Sequence, residues 1–162
     1  MVQNLEEKGL YLNKMFHRRK RYNLIKIIPP EQFRKIPWKN GKGETTELAI
    51  SNGGTLENFD WRLSMARVVE DGEFSDFTGY LRNLVLISGN GIELRYDNSN
   101  NDRLEKLLAF ATFDGGCKTI GILKSGSITD FNLICKAEKY KVILNTYIDR
   151  QNIKLQPCTL CF

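Results

Sequence analysis

Histidine is nearly absent from this chain of 162 residues, in which His17 is the single example. Imidazole is the side chain that suits iron, zinc and nickel as a ligand. It is also the usual general base and the middle member of a Ser-His-Asp triad. His17 lies in a basic run, which favours a solvated side chain. Because no dense cluster of Asp and Glu offers a site for magnesium or calcium instead, the sequence predicts no metal and no cofactor.

Long apolar runs are also missing, since the longest apolar stretches are as short as strands and are interrupted by polar residues. The first residues include Glu6, Glu7 and Lys8 and no apolar run, which is not the pattern of a secretory signal. We therefore expect a cytoplasmic protein with no membrane partner.

The cysteines are Cys117, Cys135, Cys158 and Cys161. Cys158 and Cys161 form one CxxC pair, whereas a zinc ribbon needs two such pairs at a set spacing. Free thiols are the expected state in a chain of this size without an export signal. We expect Cys117 and Cys135 to lie in or beside strands as small hydrophobic residues.

The formal net charge of +5 owes much to the short run His17–Arg21. Such a run attracts phosphate groups of nucleic acids or acidic lipids. Here it has five residues, no aromatic platform beside it and no nucleic-acid motif, which favours a solvated tail. No specific nucleic-acid partner is expected.

The pattern of residue types changes after the basic run. Residues 1–22 are polar and basic and are interpreted as an N-terminal extension, and residues 23–162 as one domain. In that domain, short apolar-rich runs alternate with glycine-rich turns, which indicates a barrel or sandwich and the all-β class. The predicted strands are Leu24–Ile28, Thr45–Ser51, Phe59–Val69, Leu81–Ser88, Ile92–Tyr96, Leu107–Phe113, Lys118–Leu123, Thr129–Lys136 and Lys141–Tyr147.

Three connections are assigned from their residue types. Residues 31–36 are predicted to form one helical turn that ends at Pro37. Gly89-Asn90-Gly91 predicts a tight β-hairpin between its flanking strands. Residues 97–103 are predicted to form a polar turn.

The last residues resemble the start of more sheet, at Ile153–Leu155 and Thr159–Phe162. An edge strand that ends there would expose unpaired backbone groups. We expect a shortened C-terminus or a partner that covers this edge, and a homodimer is one such partner.

Four segments in register resemble the HutD/Ves family over residues 24–160. The first is Pro37-Trp38-Lys39-Asn40-Gly41-Lys42-Gly43 followed by Thr45-Thr46-Glu47-Leu48-Ala49, and the second is Phe59–Ala66 followed by Asp71–Ser75. The third contains Gly79, Arg82, Gly89 and Gly91, and the fourth is Thr129–Leu133. Lys42 departs from the family, which usually has another glycine at this position.

The resemblance implies a cupin-like double-barrel or jelly-roll fold, here with a C-terminal barrel short of strands. It also implies an association with histidine utilisation or stress responses. The family's role is taken to be binding of a small pathway metabolite rather than turnover.

The positions marked by the resemblance provide the candidate site. Lys39 and Asn40 lie beside glycines that allow close approach to a ligand, and Arg62 and Ser64 share one face of a strand. The Arg62 fork can hold a carboxylate through two hydrogen bonds. Thr46 and Glu47 point to opposite faces, so at most one faces the pocket, and Asn132 supplies an amide donor. We expect Lys39, Arg62 and Asn132 to converge on an anion similar to urocanate or formylglutamate, with Trp38 as an apolar wall.

Structural roles explain the same residues as well. Arg62 can pair with Asp60 or Glu47, Trp38 and Trp61 can belong to the core, and Asp130 can cap a loop.

Two further functions stay open. One is a metal-independent isomerase or lyase, with Glu47 or Asp71 as base and Lys39 or Arg62 stabilising negative charge. The other is a protein-interaction scaffold whose sheet edge accepts a partner strand.

Overall fold

The computed structural model describes residues 10–14, 24–38, 43–154 and 160–161. Within these ranges the chain is almost entirely β, with one short 3-10 helix at Pro30–Gln32, and the predicted all-β class is confirmed. No helix in these ranges is long and apolar enough to cross a bilayer. The strands are β1 Leu10–Lys14, β2 Leu24–Ile28, β3 Arg34–Pro37, β4 Gly43–Ile50, β5 Trp61–Val68, β6 Gly72–Glu73, β7 Tyr80–Ser88, β8 Ile92–Tyr96, β9 Asn101–Leu104, β10 Phe110–Asp114, β11 Thr119–Leu123, β12 Ile128–Lys136 and β13 Leu160–Cys161.

The chain divides into two units, of which the smaller comprises residues 1–33 and 149–162. It contains an antiparallel sheet with the strand order β13-β1-β2. Each residue of β1 is paired with one of β2, from Leu10 opposite Ile28 to Lys14 opposite Leu24. β1 thus lies within the predicted N-terminal extension, and the boundary at residue 22 stays a prediction.

The larger unit, residues 34–148, contains two antiparallel sheets. The large sheet has the order β10-β7-β12-β5-β4-β3, and the small sheet has the order β6-β11-β8-β9. One buried apolar cluster takes residues from both sheets, among them Leu84 and Ile128 from the large sheet and Leu94 from the small one. The two sheets therefore face each other across this core. Each large apolar side chain buried there stabilises the fold by about 1.5–3 kcal/mol.

The Gly89–Gly91 turn connects the two sheets, so the prediction of a tight hairpin is wrong. β7 pairs with β10 and β12, whereas β8 pairs with β9 and β11. Gly89 and Gly91 have φ values of 95° and 125°, which glycine adopts readily. The chain can therefore turn sharply here and pass from the large sheet to the small one.

Three other local predictions are corrected. Residues 31–36 are not one helical turn, because the 3-10 helix ends at Gln32 and β3 begins at Arg34. The predicted polar turn at 97–103 includes the start of β9, whose backbone pairs with β8 although two of its four residues are exposed. Residues 141–147 have an apolar pattern but form no strand, because no described strand pairs with them.

Candidate functional site

Six polar side chains are buried on the face of the large sheet that is turned toward the small sheet. We call them the interior polar cluster, and they lie on four neighbouring strands, β4, β5, β7 and β12. Their exposed fractions are 4% for Glu47, 7% for Arg62, 2% for Ser64, 6% for Arg82, 1% for Asp130 and 4% for Asn132.

Strand register brings these residues together. Ser64 of β5 lies opposite Glu47 of β4 and also opposite Asn132 of β12. In the next row, Ile134 of β12 lies between Arg62 and Arg82. Directly opposed side chains have Cβ atoms about 5 Å apart, and alternate residues of a strand share a face. The cluster is therefore a patch of adjacent rows.

Irregular pairing borders the cluster on two sides. The β4–β5 register shifts between Glu47 and Ala49, and the β12–β7 register shifts between Thr129 and Asp130. A β-bulge changes the direction of side chains and increases the local twist of a strand. As a result, Glu47 and Asp130 both lie beside a point where the regular alternation of faces is interrupted.

Arg62 and Glu47 form a buried ion pair. Arg62 Nε donates to Glu47 Oε2 over 2.8 Å, and Glu47 Oε1 lies 3.5 Å from Nη1 of the exposed Arg34. Among the described residues, no acceptor receives a hydrogen bond from the two terminal nitrogens of Arg62. Of the two ion-pair partners expected for Arg62, Glu47 is the one observed. Asp60 pairs instead with Lys136 and Lys139.

Arg82 lies in an aromatic enclosure. Its Cζ atom is 5.1 Å from the ring centre of Phe74, 5.4 Å from that of Phe77 and 5.2 Å from that of Phe113. Cation–π attraction stabilises a guanidinium in such surroundings. Nη2 donates to Asn132 Oδ1 over 3.2 Å, but the buried Nε has no hydrogen-bond partner. Burial lowers the pKa of Arg82 to about 10, so the side chain keeps its charge at neutral pH.

Asn132 connects Arg82 to Asp130. Its carbonyl oxygen accepts from Arg82, and its amide nitrogen donates to Asp130 Oδ1. Burial raises the pKa of Asp130 to about 7, although the charge of Arg82 and the hydrogen bond from Asn132 act in the opposite direction. Asp130 therefore changes its protonation state near neutral pH.

The structure places four of the predicted site residues in the interior polar cluster, namely Glu47, Arg62, Ser64 and Asn132. Thr46 lies opposite Met65 on the other face of β4, so only Glu47 of that pair faces the cluster. Lys39 and Asn40 lie outside the described residues.

Trp38 does not lie beside Arg62, so the expectation that it forms an apolar wall of the site there is wrong. Its Nε1 atom donates to Thr45 Oγ1 over 2.8 Å, and its side chain packs against the apolar core. Its backbone N–H bonds to Gly43, which lies opposite Val68, at the other end of β5 from Arg62. At about 3.4 Å per residue, these two ends of β5 are about 20 Å apart.

Arg82 and Asp130 were not among the predicted site residues. The idea that Asp130 caps a loop is wrong, because it is buried inside β12. The sequence does carry a signal for Arg82 and Asp130, because each is a charged residue in a mainly apolar strand. Charged side chains are almost never buried without partners, so such a residue indicates a polar site inside the fold. Asp71, a candidate base, is exposed, and its carboxylate accepts from the backbone N–H of Leu123 over 2.7 Å.

The described residues include no group of three His, Cys, Asp or Glu side chains that could hold a metal ion. Cys135 is buried in β12, and Cys117 donates to Asp97 Oδ1 over 2.9 Å. That hydrogen bond raises the pKa of the Cys117 thiol, with a further contribution from burial. Both cysteines are free thiols.

Residues 30–156 match the model of the HutD family. The chain belongs to the HutD family. It is 36% identical over 123 residues to an uncharacterised 21.2 kDa protein encoded in the hutC 3′ region of Pseudomonas putida, which covers 76% of this chain and 64% of that protein. It is also 36% identical over 115 residues to the protein Ves of Escherichia fergusonii, which covers 67% of this chain and 59% of that protein.

Solved structures support the same assignment. The HutD protein of Pseudomonas fluorescens SBW25 is 40% identical, with a TM-score of 0.61 over 67% of this chain and 58% of that one. The FeII form of HppE, at 10% identity and a TM-score of 0.51 over 65% of this chain and 57% of that one, shares the fold alone. This HutD chain is all-β and cupin-like, and it spans less than two thirds of the length of these relatives.

Proposed function

We propose that this HutD-family protein binds a small anionic metabolite in the interior polar cluster, without a metal. The observation that carries the proposal is Arg62, a buried guanidinium with only its Nε committed among the described residues. The terminal nitrogens of Arg62 are not among the fully buried atoms that lack a partner, so they keep some access to solvent. A carboxylate that accepts from both of them would add charge-assisted hydrogen bonds.

Arg82 strengthens this interpretation. Arg82 Nε is buried and has no hydrogen-bond partner, and Arg82 lies on the same row of the sheet as Arg62. Two guanidinium groups thus lie on one buried face, beside the carboxyl groups of Glu47 and Asp130. The donor set is cationic and contains no imidazole or thiolate, which fits an anion better than a transition metal.

The ligand class follows from this chemistry. A planar guanidinium fork favours carboxylates, and urocanate, formylglutamate and smaller carboxylates all present one. The HutD structure from Pseudomonas fluorescens is described as a formate condition, and formate is the simplest carboxylate. A role in modulating histidine or amino-acid catabolism is part of the proposal, supported by the family name and by the hutC neighbourhood of the Pseudomonas putida relative.

Isothermal titration calorimetry with formate, urocanate, formylglutamate and glutamate tests the proposal. Arg62→Gln is compared with Arg67→Gln, which changes an exposed arginine on the same strand. We expect at least one carboxylate to bind the parent and Arg67→Gln equally, and Arg62→Gln at least tenfold more weakly. Absence of binding to the parent, or equal binding to a folded Arg62→Gln variant, would contradict the proposal.

A second function, a metal-independent isomerase or lyase, is favoured by Asp130. This buried carboxyl has a pKa of about 7 beside two guanidinium groups, which suits a general base with a site for developing negative charge. The bases expected from sequence fit less well, because Glu47 is paired with arginine and Asp71 is exposed. Proton NMR of a bound carboxylate in D2O tests this, since a base would exchange an acidic C–H and Asp130→Asn would abolish the exchange.

A further inference from the structure

The interior polar cluster contains two guanidinium groups and two carboxyl groups. With all four ionised, its positive and negative charges are equal. A carboxylate ligand would then leave one negative charge uncompensated in a region where every side chain is less than a tenth exposed. Because uncompensated charge is costly in such surroundings, taking up a positive charge together with the ligand lowers the cost of binding.

The two carboxyl groups differ in their ability to take up a proton. Glu47 faces two arginines, Arg62 at 2.8 Å and Arg34 at 3.5 Å. The hydrogen bond to Asp130 comes instead from the neutral amide of Asn132, which stands between it and Arg82. A proton is therefore added to Asp130 at lower cost than to Glu47.

We propose that this protein binds a carboxylate together with one proton, which is taken from solvent and held on Asp130. The ligand enters as the anion, the Asp130 carboxylate becomes a carboxylic acid, and the total charge of the cluster stays unchanged. This inference rests on the proposed function and adds to it a pH-dependent affinity. It makes Asp130 a residue that sets the strength of binding without contacting the ligand.

The groups that face this part of the cluster support the assignment. Arg82 keeps its charge at neutral pH, and Arg62 is paired with Glu47. The small sheet contributes Tyr96, whose hydroxyl donates to Asp102 Oδ2 over 2.7 Å. Burial and this bond to Asp102 raise the pKa of Tyr96 above its usual range, so the phenol stays neutral. Asp130 has its pKa raised to about 7 before any ligand is present, and a nearby anion raises it further.

The proposal predicts a defined pH profile. Below about pH 7, Asp130 already holds its proton, so affinity for the carboxylate is independent of pH. Above that pH, each unit costs about tenfold in affinity until Asp130 of the complex also ionises.

Calorimetric titration of the whole chain with sodium formate at pH 6 and pH 8 tests the proposal. At each pH the titration is repeated in two non-coordinating buffers that differ in ionisation enthalpy, because that difference gives the number of protons taken up. We expect about one proton at pH 8 and close to none at pH 6 for the parent. Asp130→Asn should take up none at either pH, and its formate affinity should be equal at both.

Asp102→Asn provides the matched control, since it changes another acidic residue of this region and should still take up the proton at pH 8. Formate binding to the parent without proton uptake at pH 8 would overturn the coupling but leave the proposed function intact. Loss of the uptake in Asp102→Asn rather than in Asp130→Asn would also overturn it. If the parent bound formate at neither pH, the proposed formate site and the coupling would fail together.

Discussion

Arg62 Nε lies 2.8 Å from Glu47 Oε2, and this ion pair crosses from β5 to β4 with both side chains almost fully buried. Removing one member of a buried pair leaves the other as an uncompensated charge. We therefore expect Glu47→Gln to lower the free energy of unfolding by about 3 kcal/mol, measured by urea denaturation at pH 7.

Glu44→Gln is the control for this prediction, because Glu44 is an exposed glutamate on the same strand. Its free energy of unfolding should stay within about 0.5 kcal/mol of the parent value. Equal stability of Glu47→Gln and Glu44→Gln would mean that the buried pair makes no net contribution.

The raised pKa of Asp130 predicts that the stability of the fold depends on pH. Its pKa is raised from 3.8 in the unfolded chain to about 7 in the fold, so the folded state binds the proton more tightly. The stabilisation from this group is complete below about pH 4 and is lost as pH rises through about 7. By linkage, a shift of this size corresponds to at most about 4 kcal/mol.

Asp130→Asn removes this titration and keeps an oxygen that can accept from Asn132. We expect the variant to gain stability relative to the parent between pH 5 and pH 8, in urea unfolding curves recorded at each pH. Asp149→Asn, at an exposed aspartate, should show the same pH dependence as the parent. A constant difference between Asp130→Asn and the parent over this range would refute the assignment.

Several strands of both sheets follow from sequence because they have strong local signals. The bounds of β8 match the prediction, and β7 and β12 each differ from it by one residue. Strand-length segments rich in apolar residues, each starting shortly after a glycine, are sufficient for this. They do not show which sheet a strand joins, and β7 and β8 therefore looked like a hairpin although they belong to opposite sheets.

A strand with a weak sequence signal forms because a neighbouring strand pairs with it, and its own residues do not reveal that neighbour. β9 is polar except for Leu104, and its pairing with β8 makes it a strand. Residues 141–147 show the reverse case, with an apolar pattern and no pairing to a described strand. Strand propensity reflects burial and cross-strand packing more than a preference of the backbone itself.

The candidate site was predictable where the alternation of a strand was regular. Arg62 and Ser64 share a face because they are two residues apart on β5. Arg82 and Asp130 come from β7 and β12, which pair with each other, and Ile134 of β12 lies between Arg82 and Arg62. Only the register of three strands shows that these charges meet, and the shift beside Asp130 is not encoded in any single segment.

Gly89 provides a test of the connection between the two sheets. Its φ of 95° is unfavourable for other residues, and a Cβ atom there would lie 2.7 Å from the backbone oxygen of Ser127. Gly89→Ala adds backbone strain of about 1–3 kcal/mol as well as this clash. We expect its melting temperature to fall by at least about 4 °C.

Gly72→Ala is the matched control, because a Cβ atom at Gly72 meets nothing within 4 Å and its φ is not positive. Since alanine reduces the entropy of the unfolded chain, this control should keep or slightly raise the melting temperature. Equal melting temperatures for the two variants would show that the chain can pass between the sheets without a left-handed residue at position 89.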